Sequence, residues 1–268
     1  MEVHSHTHTA RKKWTHYLWE FLMLFLAVFC GFLAENQREH MIENRRVKES
    51  MKEVVENLKY DTVRCSKNSE SNVQYALGID SLRSELRKAI SGQVNANALY
   101  YFMFRYTGNF GQAVFNTSAI TELKNSGSLR LIENKKLVVG MADYYERKVF
   151  AAKDFMPSKE QLDALQKTIN EFFTLLHLDD YVESFDDITP KNYDNTYNYQ
   201  DILKHEPALQ LLNNDPKELV KLYTQVSQFE IQLKKYNFWL NYNKEAAEKL
   251  IGDIEQEYHL SEGTPLEK

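Results

Sequence analysis

Three histidines alternate near the amino terminus, His4, His6 and His8 in HSHTHT. An extended backbone puts alternate side chains on one side, so these three imidazoles form a candidate site for zinc, nickel or copper. The segment is terminal and supplies no closing ligand, so ordering it around an ion costs conformational entropy. A solvated tail that gains charge on acidification is the competing reading, and it is the one the sequence favours.

Glu20 is the second residue with chemical potential. It sits in a run of apolar residues, where a carboxyl group can carry protons or mark an ion pathway and then has to face a protein partner. It lies six positions after Trp14, near the edge of that run, where a hydrated carboxylate at headgroup depth accounts for it more simply. The edge position favours the hydrated reading.

Other catalytic patterns are missing. The residue three before His40 is Gln37, and three before His259 is Gln256, so neither histidine completes an Glu-x-x-His pair. No HExxH, Walker loop, dinucleotide fingerprint or Gly-x-Ser-x-Gly elbow occurs. The acidic stretch from 178 to 200 lacks the ligand order and central glycine of an EF-hand and reads as a surface loop. Asn116-Thr117-Ser118 is a sequon, with meaning only where a glycosylation system is present. These observations point to a non-enzyme without a cofactor.

The elements around these residues begin with an anchor. Phe21 to Ala34 is fourteen residues without a charge, and Trp14 to Glu20 extends the stretch to a length that matches the hydrocarbon core, about 30 Å thick. Trp14, Tyr17 and Trp19 cluster at one end behind Arg11, Lys12 and Lys13, as at a membrane interface. A cleaved signal peptide fits poorly, because Phe32 would occupy the −3 position of a cut after Ala34, and Phe29 likewise spoils a lipoprotein site ahead of Cys30. Residues 14–34 are therefore expected to span a bilayer behind a flexible His-rich basic tail, 1–13.

Orientation is less sharply encoded. Five basic residues follow within twenty positions of Ala34, against three before the span. The short basic tail favours a body on the periplasmic or extracytoplasmic side over a cytoplasmic one. Glu20, Leu24, Ala27, Gly31, Ala34 and Arg38 fall on one helical stripe, and the small residues Ala27, Gly31 and Ala34 would let two membrane helices approach closely. The same stripe is expected to continue outside the membrane through Val47, Met51, Val54 and Leu58.

The body reads as all-α. The chain has nine glycines and five prolines in 268 residues, too few turn formers for a sandwich or barrel. Removing the span and tail takes away three of the 33 basic and two of the 38 acidic residues, so the body is mildly acidic, without the footprint of a nucleic-acid binder. Cys30 lies in the apolar run and Cys65 in a polar helix, so no disulfide is expected.

The expected order is a helical stalk over 35–63, a bundle over 64–260 and a disordered tail over 261–268. The stalk either continues weakly or breaks before a second helix near 73–90, which Gly92 stops. The aromatic-rich segment 95–115 is expected to enter the bundle core as a helix; Arg105 argues against a membrane hairpin. Next comes a short helix capped by Ser118 and closed by a left-handed Gly127. A further helix runs through Leu137, Met141 and Tyr144 or Tyr145, and Pro157 breaks it. Periodicity then resumes over Leu162, Leu165, Ile169, Phe172 and Leu176. The last helix starts at Asp215 as cap, with Pro216 at N1 and Glu218 in a capping box. Its seam runs through Leu222, Val226, Phe229, Leu233, Tyr236, Leu240, Asn243, Ala247, Leu250 and Ile254, a heptad pattern for packing along another helix. The architecture is thus an anchor helix, a stalk and an antiparallel helical bundle.

The amino-terminal segment MEVHSHTHTARKKWTHYLWEFLMLFLAVFCGFLAENQRE, the SAITELKNSGSLRLIENKKL stretch and the terminal heptad helix resemble an uncharacterised single-pass membrane family of Bacteroidota-type bacteria. The resemblance covers most of the chain and implies a short tail, one anchor and a helical domain. It implies no activity and transfers no functional residue. The expected partners are the lipid bilayer and a protein, either a second copy or another chain. A helical interaction or scaffold module is the favoured role, ahead of a subunit of an ion-coupled or transport machine using Glu20 and a metal-handling protein using the histidine tail.

Overall fold

The computed structural model describes residues 14–107, 110–186 and 197–260, so the histidine tail 1–13 and the tail 261–268 lie outside the described residues. Among the described residues every regular element is helical, in the order α1 (Trp14–Ile90), α2 (Ala96–Tyr106), α3 (Ser118–Asn125), α4 (Lys135–Ala142), α5 (Val149–Phe155), α6 (Lys159–Phe172), α7 (Asp179–Glu183), α8 (Gln200–Leu203) and α9 (Pro216–Tyr258). A 3₁₀ turn at Ser128–Leu131 precedes α4, and a π-helical turn at Asp143–Lys148 joins α4 to α5.

α1 is one unbroken helix of 77 residues, about 115 Å long. The anticipated alternatives of weak continuation or a break before residue 73 resolve as continuation. Gly92 with φ +94 ends it, followed by Asn95, whose side chain accepts from Ala98 N to open α2. The lower part of α1, which includes the apolar run, is exposed. It contains one segment long and apolar enough to cross a membrane. Burial begins at Val47, within the range expected to be a stalk, so only residues 35–46 separate the span from the bundle. That interval is about 18 Å of helix.

Continuity fixes which faces line up. Val47 follows Phe29 by eighteen residues, about five full turns, but follows Gly31 by sixteen, about four and a half. The bundle-facing stripe Val47, Met51, Val54 and Leu58 therefore lies above Phe21, Phe25 and Phe29, which stack in a ladder with ring separations of 6.4 and 5.9 Å. Ala27, Gly31 and Ala34 lie on the opposite side of the helix. The expectation that one stripe runs from the small residues into Val47 is corrected: the steps of three and four do not carry across the nine residues from Arg38 to Val47.

α9 packs antiparallel along α1, and every residue of its expected seam from Leu222 to Ile254 is buried. Lys59 meets Glu255 and Arg83 meets Glu230, which fixes the register of the pair. Asp215 caps α9 by accepting from Lys217 N at 2.9 Å, with Pro216 at N1. Glu218 turns to Lys221 at 2.7 Å instead of completing a capping box. The clearest box belongs to α6, where Ser158 and Gln161 satisfy each other's backbone after Pro157 ends α5. α6 stops at Phe172; Leu212 N donates to Phe172 O and Thr174 N to Tyr100 Oη, so Leu176 is turned out to solvent. α2 is a core helix, with Leu99, Tyr100 and Met103 buried.

Two glycines of the helices have opposite roles. A Cβ at Gly78 of α1 would fall inside the Tyr106 ring, so this position lets α2 close onto α1. At exposed Gly252 of α9, a Cβ would meet nothing within 4 Å. Gly78→Ala should therefore lower stability by roughly 1–3 kcal/mol through overpacking. Gly252→Ala should raise it by about 0.5–1 kcal/mol through helix propensity. Denaturant unfolding of the detergent-solubilised chain, followed by tryptophan fluorescence, measures both.

Candidate functional site

The stripe that α1 turns inward is interrupted by Asn57, Asp61, Ser69 and Asn72, all buried. Buried polar groups need partners: Ser69 donates to Asn241 Oδ1 of α9 at 3.0 Å, and the other three find theirs chiefly in an irregular segment with backbone groups to satisfy. Asn72 Nδ2 donates to Gly111 O at 3.0 Å, and Gly111 N donates back to Asn72 Oδ1 at 2.7 Å. Ala113 N donates to Tyr236 Oη of α9 at 2.9 Å. Asn116 N donates to Asp61 Oδ1 at 2.8 Å. Residues 110–117 thus lie along α1 with side chains in place of a strand partner. Gly111 is what lets the segment approach: a Cβ there would stand 2.9 Å from Asn68 Cα.

Asn116 closes the network and starts α3. Its Nδ2 donates to Asn57 Oδ1 at 2.8 Å, and its Oδ1 accepts from both the backbone N and the Oγ of Ser118. Ser118 is the first helical residue and not the cap, contrary to expectation; Asn116 takes the α3 start through an Asx-type bond. The sequon nitrogen is the one held by Asn57. Gly127 does adopt the left-handed conformation, at φ +70.

Asp61 is the centre of this junction, 1% exposed. Its Oδ2 accepts from Tyr144 Oη at 2.9 Å. The π turn allows this, because its wider winding brings the consecutive residues Tyr144 and Tyr145 both inward, ring against ring at 4.8 Å and 87°. The carboxylate therefore holds three elements together: α1, the 110–117 segment and the π turn. Both donors are neutral, and Lys153 acts on it only from a distance. Burial pushes Asp61 up from 3.8 to about 6, against the pull of its two hydrogen bonds. Burial and the Asp61 charge push the nearby Cys65 thiol up to about 12, so it is a poor nucleophile. Tyr144 is raised in the same way, by burial first and then by Asp61.

Beside the junction, the π turn and α9 enclose an open cleft of about 420 Å³. Asp143, Lys148, Tyr242, Lys249 and Asp253 line it. Its charges are largely matched already: Asp143 pairs with Lys148 and with Arg147 at 2.9 Å, and Lys249 with Asp253 at 2.6 Å. Lys148 also sits over the Tyr242 ring at 5.5 Å. Burial lowers its affinity for a proton. Asn243, on the seam, donates to Lys148 O and Trp239 O, tying α9 to the end of the π turn.

The other sequence candidates are dispersed. His4, His6 and His8 lie outside the described residues. Glu20 pairs with His16 at 3.0 Å, both about half exposed, at the edge of the apolar run. Ala27, Gly31 and Ala34 are exposed, and a Cβ at Gly31 would meet nothing within 4 Å. Cys30 and Cys65 are free thiols on one helix, separated by 35 residues, about 52 Å. Among the described residues no three His, Cys, Asp or Glu side chains group as a metal site. Asp61 and Asn72 were not among the sequence candidates, Asn116 stood there only as a sequon and Tyr144 only as a helical core position; the available signal was the polar interruption in the α1 stripe. Comparison of the chain with protein-family models, curated proteins and solved structures gives no match in any of the three.

Asp61 makes stability depend on pH. Its folded value lies above the unfolded one, so the folded state binds the proton more tightly, and the stabilisation this gives at low pH is lost as pH rises from about 4 to about 6. Holding the charge at pH 7 costs roughly 3 kcal/mol, from a shift of about two units. Asp61→Asn, with Oδ1 accepting from Asn116 N and Nδ2 donating to Tyr144 Oη, should be more stable than the wild type at pH 7.5, with the advantage shrinking towards pH 4. Paired urea titrations at the two pH values read the difference; an Asn variant less stable at pH 7.5 would contradict the cost assigned to the charge.

Proposed function

We propose that this chain is a membrane-anchored helical interaction or scaffold module, non-enzymatic, set in a bacterial inner membrane with its body on the periplasmic side. The observation that carries the reading is the unbroken α1. The helix that supplies the apolar span also supplies a full wall of the bundle, so the bundle is held at a fixed height and in a fixed rotation relative to the lipid. That arrangement suits a part whose task is to present a surface at a set place above the membrane. The chemistry of the interior agrees with it. The buried carboxylate ties elements together, the buried thiol is raised to about 12, and the cleft at the π turn is lined by charges that largely pair with one another.

The pairing of Glu20 with His16 near the end of the span supports a hydrated interfacial carboxylate in preference to an ion-coupling group. On this reading Glu20→Gln leaves assembly unchanged.

Two measurements on the full-length chain in cells test the proposal. A topology reporter fused after Lys268 should be active only as a periplasmic fusion. Photo-crosslinkers placed singly on exposed positions of α1 and α9 should give discrete adducts of higher mass in the native membrane. A reporter active only in the cytoplasm overturns the orientation. Monomer alone at every crosslinker position overturns the interaction role.

A further inference from the structure

The α1–α9 pair is covered on one flank and open on the other. On the covered flank α2 and the 110–117 segment close over α1, while α5 stacks Phe155 on Trp239 of α9. On the open flank the two helices form a groove of about 350 Å³. Val73, Leu77 and Asp80 stand on the α1 side, Lys234 and Asn237 on the α9 side, over a floor that includes Leu233. Val73 is 45% exposed and Leu77 59%, and Phe238, next to Asn237, is 63% exposed. Val73 and Leu77, one turn apart on the groove wall and this open, mark a surface that associates, and Phe238 adds an exposed ring on the adjoining face of α9 beside Trp239 and Tyr242. Asn237 Oδ1 is buried and has no partner.

We propose that this groove is the interface through which a second copy of the same chain docks, giving a four-helix arrangement with α1 of each copy against α9 of the other. The proposal rests on the interaction-module reading and names its partner. The membrane supplies the geometry: two copies anchored in one bilayer point the same way, so a two-fold axis relating them runs along the membrane normal and keeps every residue at its own height. The Ser69–Asn241 bond sets the register of α1 on α9. Counting from it, Val73 stands level with Asn237, and Leu77 with Leu233. In the dimer, Phe238 of the second copy stands within a residue of the level of Val73, and Leu77 lies a little over one turn further along α1. Lys234 of the second copy lies about one turn from Asp80, within reach of a lysine stem, and symmetry makes each contact twice.

Charge complementarity favours this occupant over an unrelated apolar helix. Asp80 and Lys234 stand on opposite walls of the groove, and both side chains are well exposed. Neither is essential where it is. Asp80 has only a 3.5 Å contact with Arg83, whose guanidinium is already engaged by Glu230 at 2.8 Å and Tyr223 at 3.0 Å. Lys234 rests on Glu230, a carboxylate that Arg83 already neutralises. The pair can therefore turn outward to a second copy without stranding a buried charge.

The test is the mass of the full-length chain in lipid nanodiscs and in mild detergent, by light scattering with the lipid or detergent contribution removed, over a wide range of protein concentration. The wild type should be a dimer. Asp80→Lys and Lys234→Glu should each raise the dissociation constant about tenfold or more by setting like charges together, and the double variant should recover most of the loss. Leu77→Glu should leave a monomer with unchanged helical circular dichroism. A dimer indifferent to all these changes but lost on Gly31→Leu overturns this interface and leaves the interaction role standing. A wild type that is monomeric here, yet crosslinks to another protein in cells, does the same. Monomer without any crosslink overturns both.

Discussion

The packing of α9 along an α1 that never breaks is the constraint on which the rest of the molecule depends. An α-helix advances about 100° per residue, so once it is continuous from Trp14 to Ile90 its faces are locked in phase from the apolar run to the top of the bundle. The phenylalanine ladder falls beneath the bundle, the small-residue face falls on the far side, and the stretch between Ala34 and Val47 has no freedom to choose otherwise. The apolar run and the bundle wall are one element.

The long helix also dictates where polarity is buried. A stripe of more than forty residues cannot be wholly apolar and still leave a partner for an irregular segment, and residues 110–117 need partners because no strand accompanies them. Asp61 and Asn72 of α1 and Tyr236 of α9 provide those bonds. The neighbouring π turn is part of the same solution, since Tyr144 reaches Asp61 from it. The arrangement fixes one geometry at the expense of a buried charge paired only with neutral donors, a trade in which specificity outweighs stability at neutral pH.

Features carried by local sequence were legible. Phe21 to Ala34 announces an apolar span, Gly92 and Gly127 stop or turn the chain where expected, Pro157 separates α5 from α6, and the Asp215-Pro216 start and heptad seam of α9 are present with each seam residue buried. Features that depend on distant partners were not. Asp61 and Asn72 interrupt the apolar stripe of α1 with no local cause in the sequence, because the groups they bind come 39 to 83 residues later. Leu176 continued the α6 period, but the chain is turned out after Phe172 by bonds from Leu212 and to Tyr100. Glu218 had the spacing of a capping box and a lysine one turn ahead, and the ion pair prevailed. The small-residue stripe misled for a geometric reason, since alternate steps of three and four drift in phase and the nine-residue gap to Val47 crosses half a turn.

The unbroken helix through residues 35–46 is the claim to which anchor, phase and presentation all reduce. Spin labels on Leu33→Cys and Val63→Cys, with Cys30 replaced by alanine, stand thirty residues apart on exposed positions of α1. Pulsed dipolar spectroscopy of this pair in lipid nanodiscs, diluted with unlabelled protein, should give one narrow distance near 45 Å, the rise of a continuous helix. A broad distribution, or a main distance well short of that, would place a hinge between membrane and bundle and contradict the account.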